Sequence, residues 1–119
     1  MKPGERDPLL YLEDMLLSME RLQEYIKELD VQQFKLDYKT VDAVIRNFEI
    51  IDEASKNLPQ ALKNKYNHIP WDGMYRLRNR ISHEYFGIDY DIVWDIATRQ
   101  LPSNYKDLRE VFELEQSFR

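Results

Sequence analysis

Proton transfer near neutral pH is best served by histidine, and the chain has two, His68 and His83. His68 sits in a connection just before Pro70, whereas His83 lies five residues after Arg78 and two before Tyr85, at the end of a basic stretch. An arginine can hold an anion through a planar fork of donors whose charge is never lost. Arg78 and His83 are therefore the residues whose types and spacing suit work on an anionic group, with Asn79 beside the arginine and Tyr85 two positions after the histidine. Arg46, Glu49, Arg76 and Arg80 are polar candidates of second rank. Taken singly, a histidine is more often a surface or capping residue, and one tyrosine of eight more often packs than reacts.

The net charge of -5 argues against a general nucleic-acid coat protein, because such proteins gain affinity by neutralising phosphates. The average hides an asymmetry. Residues 1–53 carry 7 basic and 13 acidic groups, residues 54–83 carry 6 and 1, and residues 84–119 carry 4 and 8, so the nets are -6, +5 and -4. One basic segment framed by acidic ones suggests a local anion site on a body that otherwise repels polyanions; the plainer alternative is that these cations solvate a helix. Cysteine is absent, which removes disulfides, thiolate zinc sites and cysteine nucleophiles and fits a reducing cytoplasm. A carboxylate-bridged metal bundle wants Glu three residues before His, but Lys65 and Arg80 stand there. Neither a phosphate-loop glycine pattern nor a nucleophile elbow is present. No metal and no cofactor is expected. The start, Met1-Lys-Pro-Gly-Glu-Arg-Asp, has charges where a signal peptide needs its apolar stretch, and no apolar run approaches the roughly 18 residues that span a bilayer. A soluble, cytoplasmic protein without membrane contact is expected.

The elements that must position these residues all read as helices. At 119 residues the chain is expected to form a single domain, 1–119, with one core. Asp7 and Pro8 suit an N-cap and first helical position, and Leu12, Met15, Leu16, Met19, Leu22, Ile26 and Leu29 recur at spacings of three and four, predicting a helix over about 8–29. After a polar connection over 30–39, Val41, Val44, Ile45, Phe48, Ile51 and Leu58 predict a second helix, capped by Asp37 or Thr40 and stopped before Pro59. Residues 60–66 suit a short helical turn. Pro70 opens a predicted third helix that carries Arg78 and runs to about Glu84, ended by Gly87. Asp89 caps a predicted fourth, and Pro102 starts or kinks a fifth. The expected fold is an all-α, up-and-down bundle of four to five helices.

On an ideal helix with Leu77 at 0°, Ile81, Met74 and Trp71 fall at about 40°, 60° and 120°, which defines an apolar face. Arg78 and Tyr85 fall inside it, at about 100° and 80°, whereas Arg76, Arg80 and His83 lie on the other side. A guanidinium in an apolar stripe must be paired. Either Arg78 pairs with Glu49 or Glu53 of the second helix, or its face opens onto an anionic ligand. Arg78 and His83 are about 140° apart, so a straight monomeric helix cannot aim both at one phosphate. Two copies of the helix across a dimer axis, or a helix that unwinds at His83 ahead of Gly87, would resolve this.

Pro70-Trp71, Arg78-Asn79, His83, Tyr85-Phe86, Ile88-Asp89 and Trp94 together resemble the signature of HepT-type proteins in the HEPN superfamily, in which Arg-x4-His-x-Tyr is matched by Arg78, His83 and Tyr85. Upstream, Arg46-Asn47-Phe48-Glu49-Ile50-Ile51-Asp52-Glu53-Ala54 resembles the family's second helix, except that Asp52 stands where a glycine is usual, a departure expected to touch packing more than chemistry. The resemblance implies a HEPN-like bundle and a homodimeric, metal-independent endoribonuclease toxin of a type II/VII-like toxin–antitoxin pair. It implies His83 as general acid or base, Arg78 as the phosphate-binding cation, and Asn79 as support. It also implies an antitoxin partner, a minimal nucleotidyltransferase of the MntA type, that AMPylates Tyr85. The alternative is a non-catalytic HEPN-like dimer that binds a nucleotidyltransferase or a nucleotide and cuts nothing.

Overall fold

Asp7 accepts a hydrogen bond from the Leu9 amide at 3.0 Å, and Pro8 supplies a first-turn φ, so α1 (Pro8–Ile26) begins where the cap residues direct. The computed structural model describes residues 6–74, 76–83 and 87–119, and of His83 only the backbone. The predicted stripe of α1 is buried from Leu12 to Ile26, but the helix ends there and Leu29 packs from the following turn.

The polar connection expected over 30–39 is instead a short helix, α2 (Val31–Leu36). Asp30 and Gln33 form a capping box, with the Gln33 amide donating to Asp30 Oδ1 at 2.8 Å and the Asp30 amide donating to Gln33 Oε1 at 2.9 Å. The box drives Phe34 into the core against Trp94, ring centroids 5.2 Å apart. Asp37, not Thr40, then caps α3 (Tyr38–Lys56), accepting from the Thr40 amide and hydroxyl. Val41, Val44, Phe48 and Ile51 of α3 pack against α1 and form the main layer of the core.

Pro59 precedes α4 (Gln60–Lys65). The buried Trp71 indole then donates to the carbonyls of Tyr66 and Lys63, at 3.0 and 3.2 Å, and anchors the next segment on α4. The third helix predicted over 70–84 is not continuous. It divides into α5 (Trp71–Met74) and α6 (Leu77–Ile81), and the chain leaves helical geometry at Ser82, φ -92° and ψ 134°. Ser82–His83 (β1) pairs antiparallel with Gly87–Ile88 (β2), in the register Ser82 to Ile88 and His83 to Gly87. Gly87 is therefore not a helix stop. Its φ of +79° lies where glycine has no steric cost, and it opens the returning strand.

Asp89 accepts from the Ile92 amide at 3.1 Å and caps α7 (Tyr90–Asp95), as predicted. A single π-helical turn, Ile96–Gln100, leads directly into α8 (Leu101–Ser117). Pro102 has no amide to donate to the preceding turn, and Gln23 of α1 donates to the Ala97 carbonyl inside that turn at 2.5 Å. The fourth and fifth predicted helices thus run on from each other. The all-α, up-and-down bundle is the observed architecture, with α1, α3 and α8 as its long members among the described residues.

Candidate active site at the end of a short motif helix

Five residues form too short a helix to stand alone, and α6 has no capping side chain of its own. Its cap comes from α3. Asp52 accepts from the Leu77 amide at 3.0 Å with one oxygen and from the Arg78 amide at 2.9 Å with the other. The buried face of the motif segment, Trp71, Met74, Leu77 and Ile81, is the one the helical projection defines. Asp52 is half-buried, and burial raises its pKa above the ordinary aspartate value despite the two backbone hydrogen bonds, with Glu49 one turn away adding to the rise. Asp52 therefore holds the backbone at the start of α6, including that of Arg78.

The Arg78 side chain lies at the rim of that face, 43% exposed. Its Nε stands 3.6 Å from Glu49 Oε1, and Arg46 Nη1 stands 3.6 Å from the other oxygen of the same carboxylate. Glu49 rather than Glu53 is thus the partner; Glu53 accepts from the Asn57 amide side chain. A separation of 3.6 Å is longer than a charge-assisted hydrogen bond, so Glu49 offsets the guanidinium charge without locking it. Arg78 Nη1 donates to Ser82 Oγ at 2.8 Å, and that hydroxyl donates in turn to the Arg78 carbonyl at 3.0 Å.

Because α6 ends at Ile81 and Ser82 is extended, the angle of about 140° between Arg78 and His83 on an ideal helix does not apply here. The unwound helix end is what the chain adopts, and the Arg78 guanidinium reaches the residue next to His83. The His83 imidazole and Tyr85 lie outside the described residues. Asn79 is exposed, and its carbonyl accepts the Ser82 amide. Arg80 turns away and donates to Gln100 at 2.5 Å, while Arg76 is exposed at the N-cap of α6. His68 is exposed before Pro70. The fold thus brings Arg46, Glu49, Asp52, Arg78 and Ser82 together and leaves Arg80 aside. Among the described residues no cluster of three or more His, Asp and Glu could hold a metal ion, and no helix is long and apolar enough to cross a membrane.

Asp52 and Ser82 were not predicted as site residues. Ser82 is one turn after Arg78, within side-chain reach on a helix, and Asp52 shares a face with Glu49 three residues earlier; those spacings are the signals that could have found them.

Comparison with known proteins gives a concordant result. The family model described as ribonuclease HepT-like matches residues 15–112. A Thermococcus cleftensis protein named "Probable ribonuclease HepT" is 41% identical over 103 residues, covering 87% of this chain and 91% of its own length. A Methanocaldococcus jannaschii protein with a provisional RNase name is 40% identical over 109 residues, 92% of this chain and 90% of its own. A protein of Caldanaerobacter subterraneus subsp. tengcongensis, also provisionally named as an RNase, is 34% identical over 111 residues, 93% and 99% of the two chains. No solved structure matches.

Proposed function

The chain belongs to the ribonuclease HepT-like family, and on that premise we propose that it is a metal-independent endoribonuclease whose reaction is carried by Arg78 and His83. The observation that carries this reading is the end of α6: a half-exposed guanidinium bonded to Ser82, the residue before the motif histidine. RNA supplies its own nucleophile. The 2′-oxygen attacks the adjacent phosphorus as its proton leaves, the P–O5′ bond breaks, and the 5′-oxygen takes up a proton, giving a 2′,3′-cyclic phosphate. The protein then needs a proton carrier and a fixed cation. His83 serves as the carrier, a role that contributes roughly 10²- to 10⁴-fold. Arg78 binds the phosphate and stabilises the charge that develops on it, in exchange for its long contact with Glu49. Asn79, one residue on and exposed, supports the phosphate or the imidazole.

The working form in this reading is a homodimer whose paired motifs line one cleft, which would set local cationic surfaces against RNA on a protein of net charge -5. Its partner is a minimal nucleotidyltransferase antitoxin that moves AMP from a nucleoside triphosphate onto the Tyr85 hydroxyl, with pyrophosphate leaving. The added bulk and negative charge two residues from His83 would fill the cleft and compete for Arg78. Two measurements test these steps. Mass spectrometry of the protein expressed with and without the nucleotidyltransferase should find AMP on the peptide containing Tyr85; no added mass removes the switch. Purified protein should cleave RNA in excess chelator; binding of the nucleotidyltransferase without any RNA cleavage would identify a non-catalytic module instead.

A further inference from the structure

We propose that Asp52 is a positioning residue for Arg78, a tether that references the phosphate-binding arginine to the rigid α3 helix. The inference rests on the ribonuclease reading for its catalytic consequence, but its structural part stands on geometry alone. A five-residue helix without a cap of its own has no intrinsic register, and two consecutive amides of its first turn, those of Leu77 and Arg78, are both held by the one carboxylate. Asp52 follows directly on Ile51, which is fully buried, so the carboxylate projects from a part of α3 fixed in the core. Glu49 and Ser82 contact only the guanidinium end and the carbonyl of Arg78; the start of its backbone is held by Asp52.

The two amide bonds are kept although the site is half-buried. Burial raises the Asp52 pKa, so the ionised carboxylate is less favourable there than in water.

The test uses the full chain and two variants, Asp52→Asn, which keeps one acceptor oxygen, and Asp52→Ala, which keeps none while preserving helix propensity in α3. Amide hydrogen exchange at Leu77 and Arg78 should quicken in the order wild type, Asn, Ala. RNA cleavage, measured well below the melting temperature of every variant, should follow the same order in kcat. A misplacement of about 1 Å can reduce a rate by up to roughly 10²-fold, so the Ala variant should lose about ten- to hundredfold in kcat with KM little changed. Unchanged exchange at both amides in Asp52→Ala overturns the tether. Faster exchange with an unchanged kcat overturns the positioning role and leaves Asp52 a structural cap only. If wild-type protein cuts no RNA, the ribonuclease reading fails separately, and the exchange rates alone decide whether Asp52 holds Arg78.

Discussion

Gly87 and Gly73 offer a matched pair in which the same substitution should act with opposite sign. A Cβ added at Gly87 would meet nothing within 4 Å, so any effect of Gly87→Ala arises from the backbone, whose φ is +79°. An L-residue there costs about 1–2 kcal/mol, offset by about 0.4–1 kcal/mol from the narrower unfolded ensemble. The net expectation is a loss of about 1 kcal/mol, or a fall in melting temperature of roughly 4 °C for a domain of this size. Gly73 lies inside α5 without a positive φ, and its Cβ would meet only Pro70 Cβ at 3.8 Å, an ordinary contact. Gly73→Ala should therefore stabilise by about 0.5–1 kcal/mol. Urea unfolding followed by circular dichroism measures both. Gly87 also pairs with His83 across the two-stranded ladder, so strain at 87 falls on the backbone that carries the motif histidine. RNA cleavage by Gly87→Ala, assayed where both proteins are fully folded, should fall by roughly tenfold, while Gly73→Ala keeps wild-type activity. Equal stability changes of the same sign in the two variants would refute the reasoning, because the sign is set by φ alone.

Two further outcomes follow from the carboxylates around Arg78. Glu49→Gln removes the anion that in the proposed reaction gives way to RNA phosphate, and since the pair is half-exposed its loss should cost less than about 1 kcal/mol of stability. The same change should lower KM for RNA by up to about fivefold, a Michaelis–Menten measurement that a rise in KM would contradict. Asp52 predicts a pH dependence. Its folded pKa is raised, so its contribution is fully present below the unfolded value, about 3.9, and is lost as pH rises through the raised folded value. The stability of wild type relative to Asp52→Asn should accordingly fall between acid and neutral pH in urea titrations; a difference that stays constant with pH would count against the burial of the ionised group. Asp7 and Asp37 are shifted the other way, chiefly by the Arg119 and Thr40 hydrogen bonds, and lose their contribution as pH falls. Asp52→Asn and wild type share them, so they cancel in the comparison.

Periodicity and capping chemistry made the long helices legible in the sequence. The stripe from Leu12 to Ile26 and the caps Asp7 and Asp89 are where the spacing of apolar residues and the acceptor side chains required. The short elements were less legible for a physical reason. In α2 a single core residue, Phe34, carries the burial, too little for a period, although the Asp30 and Gln33 capping box was available as a signal. In the motif segment the apolar face of Trp71, Met74, Leu77 and Ile81 fits one ideal helix, so periodicity could not show that the helix breaks before Leu77 and unwinds at Ser82. At the site, residue types marked Arg78 and its neighbours, and the charge requirement of a guanidinium in an apolar stripe offered Glu49 or Glu53 as a partner, of which the structure selects Glu49. Asp52 escaped because its partners are backbone amides of another helix, and a bond to a backbone leaves no trace in the identity of the residue that donates it.

In the proposed reaction Arg78 and His83 cut RNA without a metal. The most direct measurement is cleavage of a defined RNA in excess chelator by wild type, Arg78→Ala and His83→Ala, each confirmed helical by circular dichroism. Wild type should cleave, and each variant should lose at least roughly 10²-fold. Cleavage by either variant at the wild-type rate, or by wild type only when a divalent metal is restored, would contradict the proposed reaction.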